Sequence, residues 1–358
     1  MNDFNKDLYF FGFSKWGVHL IKDFFKPNRI VICKTLSDAI KKNIDHKSII
    51  LMYPTKKDKE VLDFANKNNI KVAFIEDAFI RSLTLGSSFF KPASLVVDYK
   101  GIYYDPSQES DLEFILNNYN FTAENITRAS QLITLILDMN ISKYNHLQEK
   151  EIPHSQEKKN ILVIGQVDDD MSIKKGGFGF DSFKLLKTVK ANNNDAFIIY
   201  KPHPDVVAGI RNGNLDINIL KQYADEVVLD SSLNSCFKIA DEVHTITSLS
   251  GFEALLRKKK VVTYGMPFYA GWGLTTDTQK CNRRQRILSL EELVYATYIL
   301  YPRYVSLIDK QFCEVEQTIS EIVQLKQKYF NNYLFMIKIN LMGKMGIILR
   351  DIYHLIKR

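Results

Sequence analysis

Residues 161–173 read ILVIGQVDDDMSI, an apolar strand that runs directly into a glycine and a row of acids. Short apolar runs of this kind, separated by helix-like stretches, recur at residues 8–11, 29–33, 48–52, 71–75, 196–200, 226–229, 243–246 and 261–264. Strands that are apolar on both faces and alternate with helices indicate parallel sheets covered on both sides. Since 358 residues exceed what one hydrophobic core usually organises, we predict two doubly wound α/β units.

A polar and charged stretch at residues 145–159 separates the two series of strands and is the best linker candidate. It predicts a Rossmann-like N-terminal domain over residues 1–150 and a Rossmann-like C-terminal domain over residues 159–305. A helix over residues 306–332 is expected to pack back on the N-terminal domain. In such sheets, ligands bind at the carboxyl ends of the strands.

The last segment, residues 333–358, is basic and carries apolar residues mostly three and four positions apart. This pattern predicts a basic amphipathic helix that contacts an anionic membrane surface. A terminal helix packed on the protein's own surface, or one that binds a partner, fits the same pattern.

Composition narrows the class of protein. Hydrophobic content of 46% and charged content of 25% exclude global disorder. The four cysteines are far apart and form no CxxC pair, which favours a reducing compartment over a zinc ribbon or a disulfide framework. We see no signal peptide and no membrane-spanning run, so we expect a cytoplasmic protein, with peripheral contact to the inner membrane left open. The net charge of +7 is concentrated in the tail, which disfavours nucleic-acid binding.

Acidic clusters follow two of the predicted strands. Glu76 and Asp77 directly follow the run at 71–75, and Arg81 comes shortly after them in the chain. Adjacent carboxylates suit general acid/base chemistry, and a helix cap paired with Arg81 is the structural alternative. Residues 168–170 are three consecutive aspartates, which fit a catalytic carboxylate, a DxD metal site or simple exposure to solvent.

Two further clusters suit an anionic ligand. Prolines bracket His203 and fix the backbone after Lys201, a pair suited to a phosphate. The hydroxyl-rich turn at 247–250 opens a helix whose free N–H groups can bind an anion or can simply be capped. Downstream, Tyr269 and Trp272 lie in a glycine-rich loop that can pack under a base or sugar ring, or fill the interior.

As a set, the segments at 165–173, 201–205, 250–255 and 265–274 resemble the retaining capsule polysaccharide β-Kdo transferases of the KpsC/LipB type and related lipopolysaccharide β-Kdo transferase modules. Glu76-Asp77, Lys201 to Pro204 and Thr247-Ser248 are also similar to motifs of bacterial CMP-sugar-dependent sialyltransferases. The resemblance runs from about residue 11 to residue 303. It departs from the family at Ala78, where a glycine is usual, and in holding a single copy of the motifs.

The resemblance implies a GT-B-like α/β fold, with two Rossmann-like domains facing a central cleft and a C-terminal helical tail. The first domain would bind the acceptor and the second the CMP-sugar. The implied activity is transfer of Kdo from CMP-Kdo to a glycan or glycolipid acceptor with retention, in capsule or lipopolysaccharide synthesis, with a capsule assembly complex as a further partner. No cofactor or essential metal is expected, because a CMP-sugar carries a single phosphate. A sialyltransferase-like enzyme using another CMP-nonulosonate, and a non-catalytic glycan- or nucleotide-binding scaffold, stay open as alternatives.

The same resemblance implies a set of site residues. The expected catalytic pair is Asp170, as nucleophile, and Glu76, as base. The expected donor-binding residues are Lys201, His203, Ser248, Ser250, Gln166 and Glu253. Expected contacts with the sugar or the acceptor are Asp77, Arg81, Lys174, Tyr269 and Trp272.

Overall fold

The computed structural model describes residues 5–80, 91–139, 150–209, 211, 216–337 and 341. Within these residues the chain forms two compact units. The first unit comprises residues up to 101 and those from 297 onward, and the second comprises the residues between 102 and 296. None of the helices in the described part is long and apolar enough to cross a membrane.

The described strands are, in chain order, β1 (Asp7–Phe11), β2 (Arg29–Cys33), β3 (Ile49–Met52), β4 (Lys71–Asp77), β5 (Ser94–Asp98), β6 (Asn160–Ile164), β7 (Phe197–Lys201), β8 (Glu226–Val227), β9 (Glu242–Thr245), β10 (Lys260–Thr263), β11 (Thr276–Asp277) and β12 (Pro302–Tyr304). The described α-helices are α1 (Lys15–Ile21), α2 (Leu36–Lys41), α3 (Lys59–Lys67), α4 (Asp111–Asn118), α5 (Ala123–Asp138), α6 (Met171–Gly176), α7 (Ser182–Asn192), α8 (Pro204–Val207), α9 (Ile217–Leu220), α10 (Leu233–Ile239), α11 (Leu249–Leu256), α12 (Leu290–Val294) and α13 (Val315–Asn331). A π-helix spans Tyr295–Leu300, and short 3₁₀ helices span Lys22–Phe24 and Pro54–Lys56.

The first unit is built on a six-stranded sheet in the order β12-β5-β4-β3-β1-β2. β1 to β4 are parallel, whereas β5 runs antiparallel to both β4 and β12. Successive side chains of a strand point to opposite faces. Leu8 and Phe10 therefore join the core on the α1 side, and Tyr9 and Phe11 join the core under α2 and α3.

The second unit is built on a six-stranded, fully parallel sheet in the order β11-β10-β9-β6-β7-β8. Every residue of β6 is buried, as expected for a central strand covered by helices on both faces. The prediction of an α/β protein with two parallel-rich sheets is confirmed.

The boundaries of the two units differ from the predicted ones at residues 150 and 159. Residues 102–139 belong to the second unit, because α5 packs against α12 and Glu113 of α4 pairs with Arg283 and Arg284. Residues from 297 onward belong to the first unit, where β12 adds to the sheet beside β5. The chain thus passes from the first unit to the second after residue 101 and returns to the first within the π-helix.

The predicted helix at 306–332 appears as α13, which groups with the first unit. Glu321 of α13 accepts hydrogen bonds from the Ser306 hydroxyl and the Leu307 N–H, both at 2.7 Å. Of the predicted tail, only residues 333–337 and 341 are described, with Tyr333 and Leu341 exposed. The rest lies outside the described residues, so the amphipathic helix and its membrane contact stay predictions.

Candidate functional site

The polar segments identified in the sequence follow three neighbouring strands of the second unit. β9 leads into Thr247 and Ser248, β6 leads into residues 165–170, and β7 ends at Lys201, two positions before His203. The sheet order places these strands side by side. Because parallel strands end at the same edge of a sheet, the three segments share one edge, where doubly wound folds bind their ligands.

Gln166 joins the turn after β6 to the turn after β9. Its side-chain Nε2 donates to Thr247 Oγ1 at 3.1 Å, and its Oε1 accepts from the Thr247 backbone N–H at 2.9 Å. Its backbone is held as well, because its N–H donates to Ser182 Oγ at 2.8 Å and its carbonyl accepts from that hydroxyl at 2.9 Å. We predicted a donor contact for Gln166. In the structure its amide joins the two turns, and the donor contact stays a prediction.

Asp170 caps the first turn of α6. Its Oδ1 accepts from the Ser172 backbone N–H at 2.9 Å and from the Ser172 hydroxyl at 2.8 Å. Thr247 Oγ1 donates to Ser172 Oγ at 3.2 Å, so the carboxylate is connected through Ser172 to the turn after β9. The two donors hold the carboxylate in a fixed position at the start of α6. Its Oδ2 makes no hydrogen bond with any residue that the structure describes.

The three consecutive aspartates have three different surroundings. Asp168 Oδ1 accepts from the Ser182 backbone N–H at 3.0 Å. Asp169 is half-exposed and pairs with Arg211 at 2.7 Å, and the guanidinium hydrogen bond holds the pKa of Asp169 below its usual value. The Asp170 carboxylate is connected to Thr247 through the Ser172 hydroxyl, whereas Asp168 is connected to Gln166 through Ser182.

The predicted phosphate ligands at the end of β7 differ in their exposure. His203 Nδ1 accepts from the Asp205 backbone N–H at 3.1 Å, so the proton of a neutral ring lies on Nε2. Lys201 is 6% exposed, and its ammonium donates to the carbonyls of Val228 and Leu229 at 3.2 and 3.4 Å. Burial lowers the pKa of Lys201. Its ammonium holds the segment after β8 through these two carbonyls, and the phosphate contact of Lys201 stays a prediction.

The start of α11 is supported from within the unit. Ser248 caps the helix, and its Oγ accepts from the Ser250 backbone N–H at 3.1 Å. The Tyr269 hydroxyl donates to the Ser248 carbonyl at 2.5 Å, and the Tyr269 ring stacks on Phe252. Glu253 is buried one turn along the same helix. Two N–H groups of the first turn are thus already paired, Ser250 with Ser248 Oγ and Gly251 with the Ser248 carbonyl at 3.0 Å.

The loop at 265–275 packs its aromatic side chains into the interior of the second unit. Trp272 is fully buried, its Nε1 donates to the Phe268 carbonyl at 2.8 Å, and the Arg284 guanidinium lies 5.7 Å from its ring centroid. Tyr269 is equally buried. Both rings are packed inside the unit, whereas we predicted sugar contacts for them. Arg284 also donates to the loop's carbonyls at residues 267 and 270 and so holds it in place.

The predicted base lies in the other unit. Glu76 is the penultimate residue of β4, partly exposed, and its Oε1 accepts from the Asp77 backbone N–H at 3.1 Å. Ala78, which replaces the usual glycine, is buried directly after the strand. Arg81 lies outside the described residues. In the second unit, Lys174 is exposed on α6, one turn after Asp170.

The sequence analysis included Ser172 and Thr247 within motifs but gave neither residue a role of its own. The spacing of Asp170 and Ser172 is a usable signal, because an aspartate followed two positions later by a hydroxyl residue often starts a helix. Asp105 was also missed; it lies on the segment after β5 and pairs with Lys175 of α6 at 3.3 Å. Within the described residues, no group of three or more His, Cys, Asp or Glu side chains is placed to hold a metal ion.

Two parallel-rich α/β units with polar turns at the strand ends define a GT-B-like protein. The chain belongs to the family of capsule polysaccharide biosynthesis proteins, whose family model matches residues 48–304. It is 40% identical over 329 residues to the capsule polysaccharide modification protein LipA of Neisseria meningitidis serogroup A, covering 91% of this chain and 47% of LipA. It is 42% identical over 248 residues to the lipopolysaccharide-processing protein LpsZ of Rhizobium meliloti, covering 68% of this chain and 56% of LpsZ. The chain thus spans about half the length of these curated relatives.

Two solved structures from Thermosulfurimonas dismutans KpsC are similar to this chain. The β-Kdo 2,7 transferase matches with a TM-score of 0.74 and 38% identity, over 90% of this chain and 100% of that one. The β-Kdo 2,4 transferase matches with a TM-score of 0.76 and 29% identity, over 88% and 97%. The predicted resemblance to the KpsC/LipB type is confirmed.

Proposed function

We propose that this chain is a glycosyltransferase that moves Kdo from CMP-Kdo to a glycan or glycolipid acceptor with retention, giving a β linkage. The observation that carries the proposal is the fixed Asp170 carboxylate at the shared strand edge of the second unit. Similarity to a β-Kdo transferase structure over that structure's whole length supports the choice of sugar.

Retention is accounted for by two successive displacements, which need a carboxylate nucleophile. Asp170 meets this need, because the backbone N–H and the hydroxyl of Ser172 fix one of its oxygens in position. An Asp170 oxygen attacks the anomeric carbon of Kdo, and the bond from that carbon to the phosphate oxygen breaks as CMP leaves with the electron pair. The acceptor hydroxyl then attacks the same carbon and loses its proton to a general base, the role that the sequence predicts for Glu76, and the Asp170 carboxylate is released.

Stabilisation of the leaving CMP is assigned to groups at the same edge of the second unit. We assign the phosphate to the imidazole of His203 and to the positive end of the α11 dipole. Lys174, exposed on α6, is assigned to the carboxylate of Kdo itself. A single phosphate served by these donors does not require a metal, so we propose that no metal is essential.

A transfer assay with matched variants tests this proposal. Asp170→Asn is expected to abolish transfer while CMP still binds, because the amide is not a nucleophile. Asp169→Asn is the matched control, since it removes only a half-exposed ion pair with Arg211, and we expect it to keep most of the activity. Full activity of Asp170→Asn excludes Asp170 as the nucleophile.

The choice of donor is tested separately by measuring CMP release from CMP-Kdo and from CMP-sialic acid. We expect release from CMP-Kdo, with a β-linked product by NMR. Preference for CMP-sialic acid favours the sialyltransferase-like alternative, and no transfer from either donor favours a scaffold. A cytoplasmic location, membrane contact through the tail and membership of a capsule assembly complex stay predictions from the sequence.

A further inference from the structure

The segment that joins α6 to α7, residues 177–181, displays an aromatic ring to solvent. Phe178 is 52% exposed. Its φ of +49° lies in the left-handed region, which is unusual for a bulky residue. Glycines flank it on both sides, and Gly179 also has a positive φ, of +76°. The segment therefore holds a large apolar side chain outside the core in a backbone conformation that costs free energy.

This segment is anchored to the rest of the second unit on both sides of Phe178. Before it, the Gly176 carbonyl accepts from the Met266 backbone N–H at 2.8 Å. After it, the ring of Phe180 packs edge-on against the ring of Tyr264, with the two centroids 5.3 Å apart. Phe178 is thus presented by a turn that is fixed at both ends.

The two ends of the segment also lie at the strand edge that carries Asp170. α6 begins at Asp170 and rises about 1.5 Å per residue, so its six residues end about 9 Å further on. At that end Gly176 packs beside Thr247, since a Cβ on this glycine would lie 3.3 Å from Thr247 Cγ2. α7 begins at Ser182, which is hydrogen-bonded to the turn after β6. A sugar that reacts at Asp170 is therefore within the reach of the Phe178 side chain.

We propose that Phe178 packs on the apolar face of the sugar carried by the CMP-sugar donor and contributes to the affinity for that sugar. This inference rests on the proposed function and extends it to a residue outside the set predicted from the sequence. A pyranose ring presents C–H groups on its faces, and aromatic side chains commonly line sites for such rings. Lys174, exposed four positions earlier on α6, is assigned to the sugar carboxylate, so the two side chains serve the apolar and the charged part of one ligand.

Phe178→Gly separates this role from a structural one. Glycine adopts a positive φ without strain, so we expect a melting temperature equal to or above that of the parent. We expect the affinity for CMP-Kdo to fall about fivefold or more, because the contact with the ring is lost. Lys258→Gly is the matched control, since Lys258 is exposed, has a φ of +56° and lies just before β10 begins, at the opposite edge of the sheet. It is expected to relieve strain in the same way and to leave the affinity for CMP-Kdo unchanged.

Calorimetric titration of the full chain with CMP-Kdo and with CMP measures the two affinities, in the Asp170→Asn background so that the donor is not consumed. We expect Phe178→Gly to weaken CMP-Kdo binding and leave CMP binding unchanged, and Phe178→Tyr, which keeps a ring, to retain most of the affinity for CMP-Kdo.

Three results overturn the inference about Phe178. The first is an unchanged affinity for CMP-Kdo in Phe178→Gly. The second is an equal loss for CMP alone, because the ring then contacts the nucleotide. The third is a lower melting temperature of Phe178→Gly, because the ring then supports the fold. Failure of the parent to bind CMP-Kdo is a different result, since it overturns the proposed function together with this inference.

Discussion

Glu113 is the residue whose removal we expect to destabilise the second unit most clearly. Its side chain is 4% exposed, and its two oxygens accept from Arg283 Nε at 2.6 Å and Arg284 Nε at 3.0 Å. Arg284 is 3% exposed, so Glu113→Ala leaves a buried guanidinium without its carboxylate. Breaking a buried pair by removing one partner costs about 3–5 kcal/mol. In a unit of this size, that corresponds to a fall in melting temperature of about 6–20 °C.

The effect is expected to reach the candidate site. Arg284 holds the carbonyls of Pro267 and Ala270, and the neighbouring Tyr269 hydroxyl holds the Ser248 carbonyl at the start of α11. Glu113→Ala is therefore expected to weaken CMP binding as well as stability. The assays are calorimetric unfolding and CMP titration of the folded variant.

Two controls separate the buried pair from a simple loss of charge. Glu124→Ala removes an exposed acid of α5 and is expected to change stability by no more than about 0.5 kcal/mol. Glu113→Ala combined with Arg284→Met removes both partners, and we expect it to be more stable than Glu113→Ala alone. A Glu113→Ala protein within about 1 kcal/mol of the wild type refutes the reasoning.

Four further perturbations have expected outcomes. Ser172→Ala removes one of the two hydrogen bonds to Asp170 Oδ1, so we expect kcat to fall about tenfold with little change in donor KM, and an unchanged kcat argues against positioning by Ser172. Gly265→Ala places a Cβ against the Gly176 carbonyl and is expected to lower the free energy of unfolding in urea by about 1–3 kcal/mol. An unchanged free energy of unfolding would contradict this tight packing. Burial would raise the pKa of Asp105, but hydrogen bonds from Ser107 and the charge of Lys175 outweigh it and leave that pKa below its usual value. The Asp105 carboxylate thus stabilises the unit above about pH 4 and loses this effect as the pH falls through its folded-state pKa. Asp105→Asn is therefore expected to flatten the acid side of the curve of unfolding free energy against pH. An unchanged curve would count against the ion pair of Asp105 with Lys175. Chelation of divalent metals is expected to leave transfer unchanged, and loss of transfer that added metal restores would contradict the metal-free proposal.

The fold was largely predictable from the apolar runs. The strand at 161–164 is apolar at every position because it is covered on both faces, and this pattern is visible without a structure. The three-residue β12 gave no comparable signal, since its place beside β5 depends on a pairing between residues about two hundred positions apart. The sequence also did not reveal that residues 102–139 belong to the second unit and residues from 297 onward to the first. These assignments too depend on contacts between residues far apart in the chain.

The site was predictable as a set of strand ends but not in the role of each side chain. Asp170 lies at the strand edge directly after β6 and is bonded to the nearby Ser172, whereas its role as nucleophile stays a prediction. The bond between Gln166 and Thr247 joins residues 81 positions apart, so no local pattern reveals it. Burial of Lys201 and Trp272 is decided by tertiary packing, whereas residue type alone suggested ligand contacts.

Mass spectrometry of the intact chain mixed with CMP-Kdo, without acceptor, tests the glycosyl-enzyme intermediate most directly. The account predicts a mass increase equal to one Kdo residue, mapped by peptide digestion to Asp170 and absent from Asp170→Asn. Product formation at the normal rate with no adduct under rapid quenching, or an adduct on Asp168 or Asp169, would contradict it.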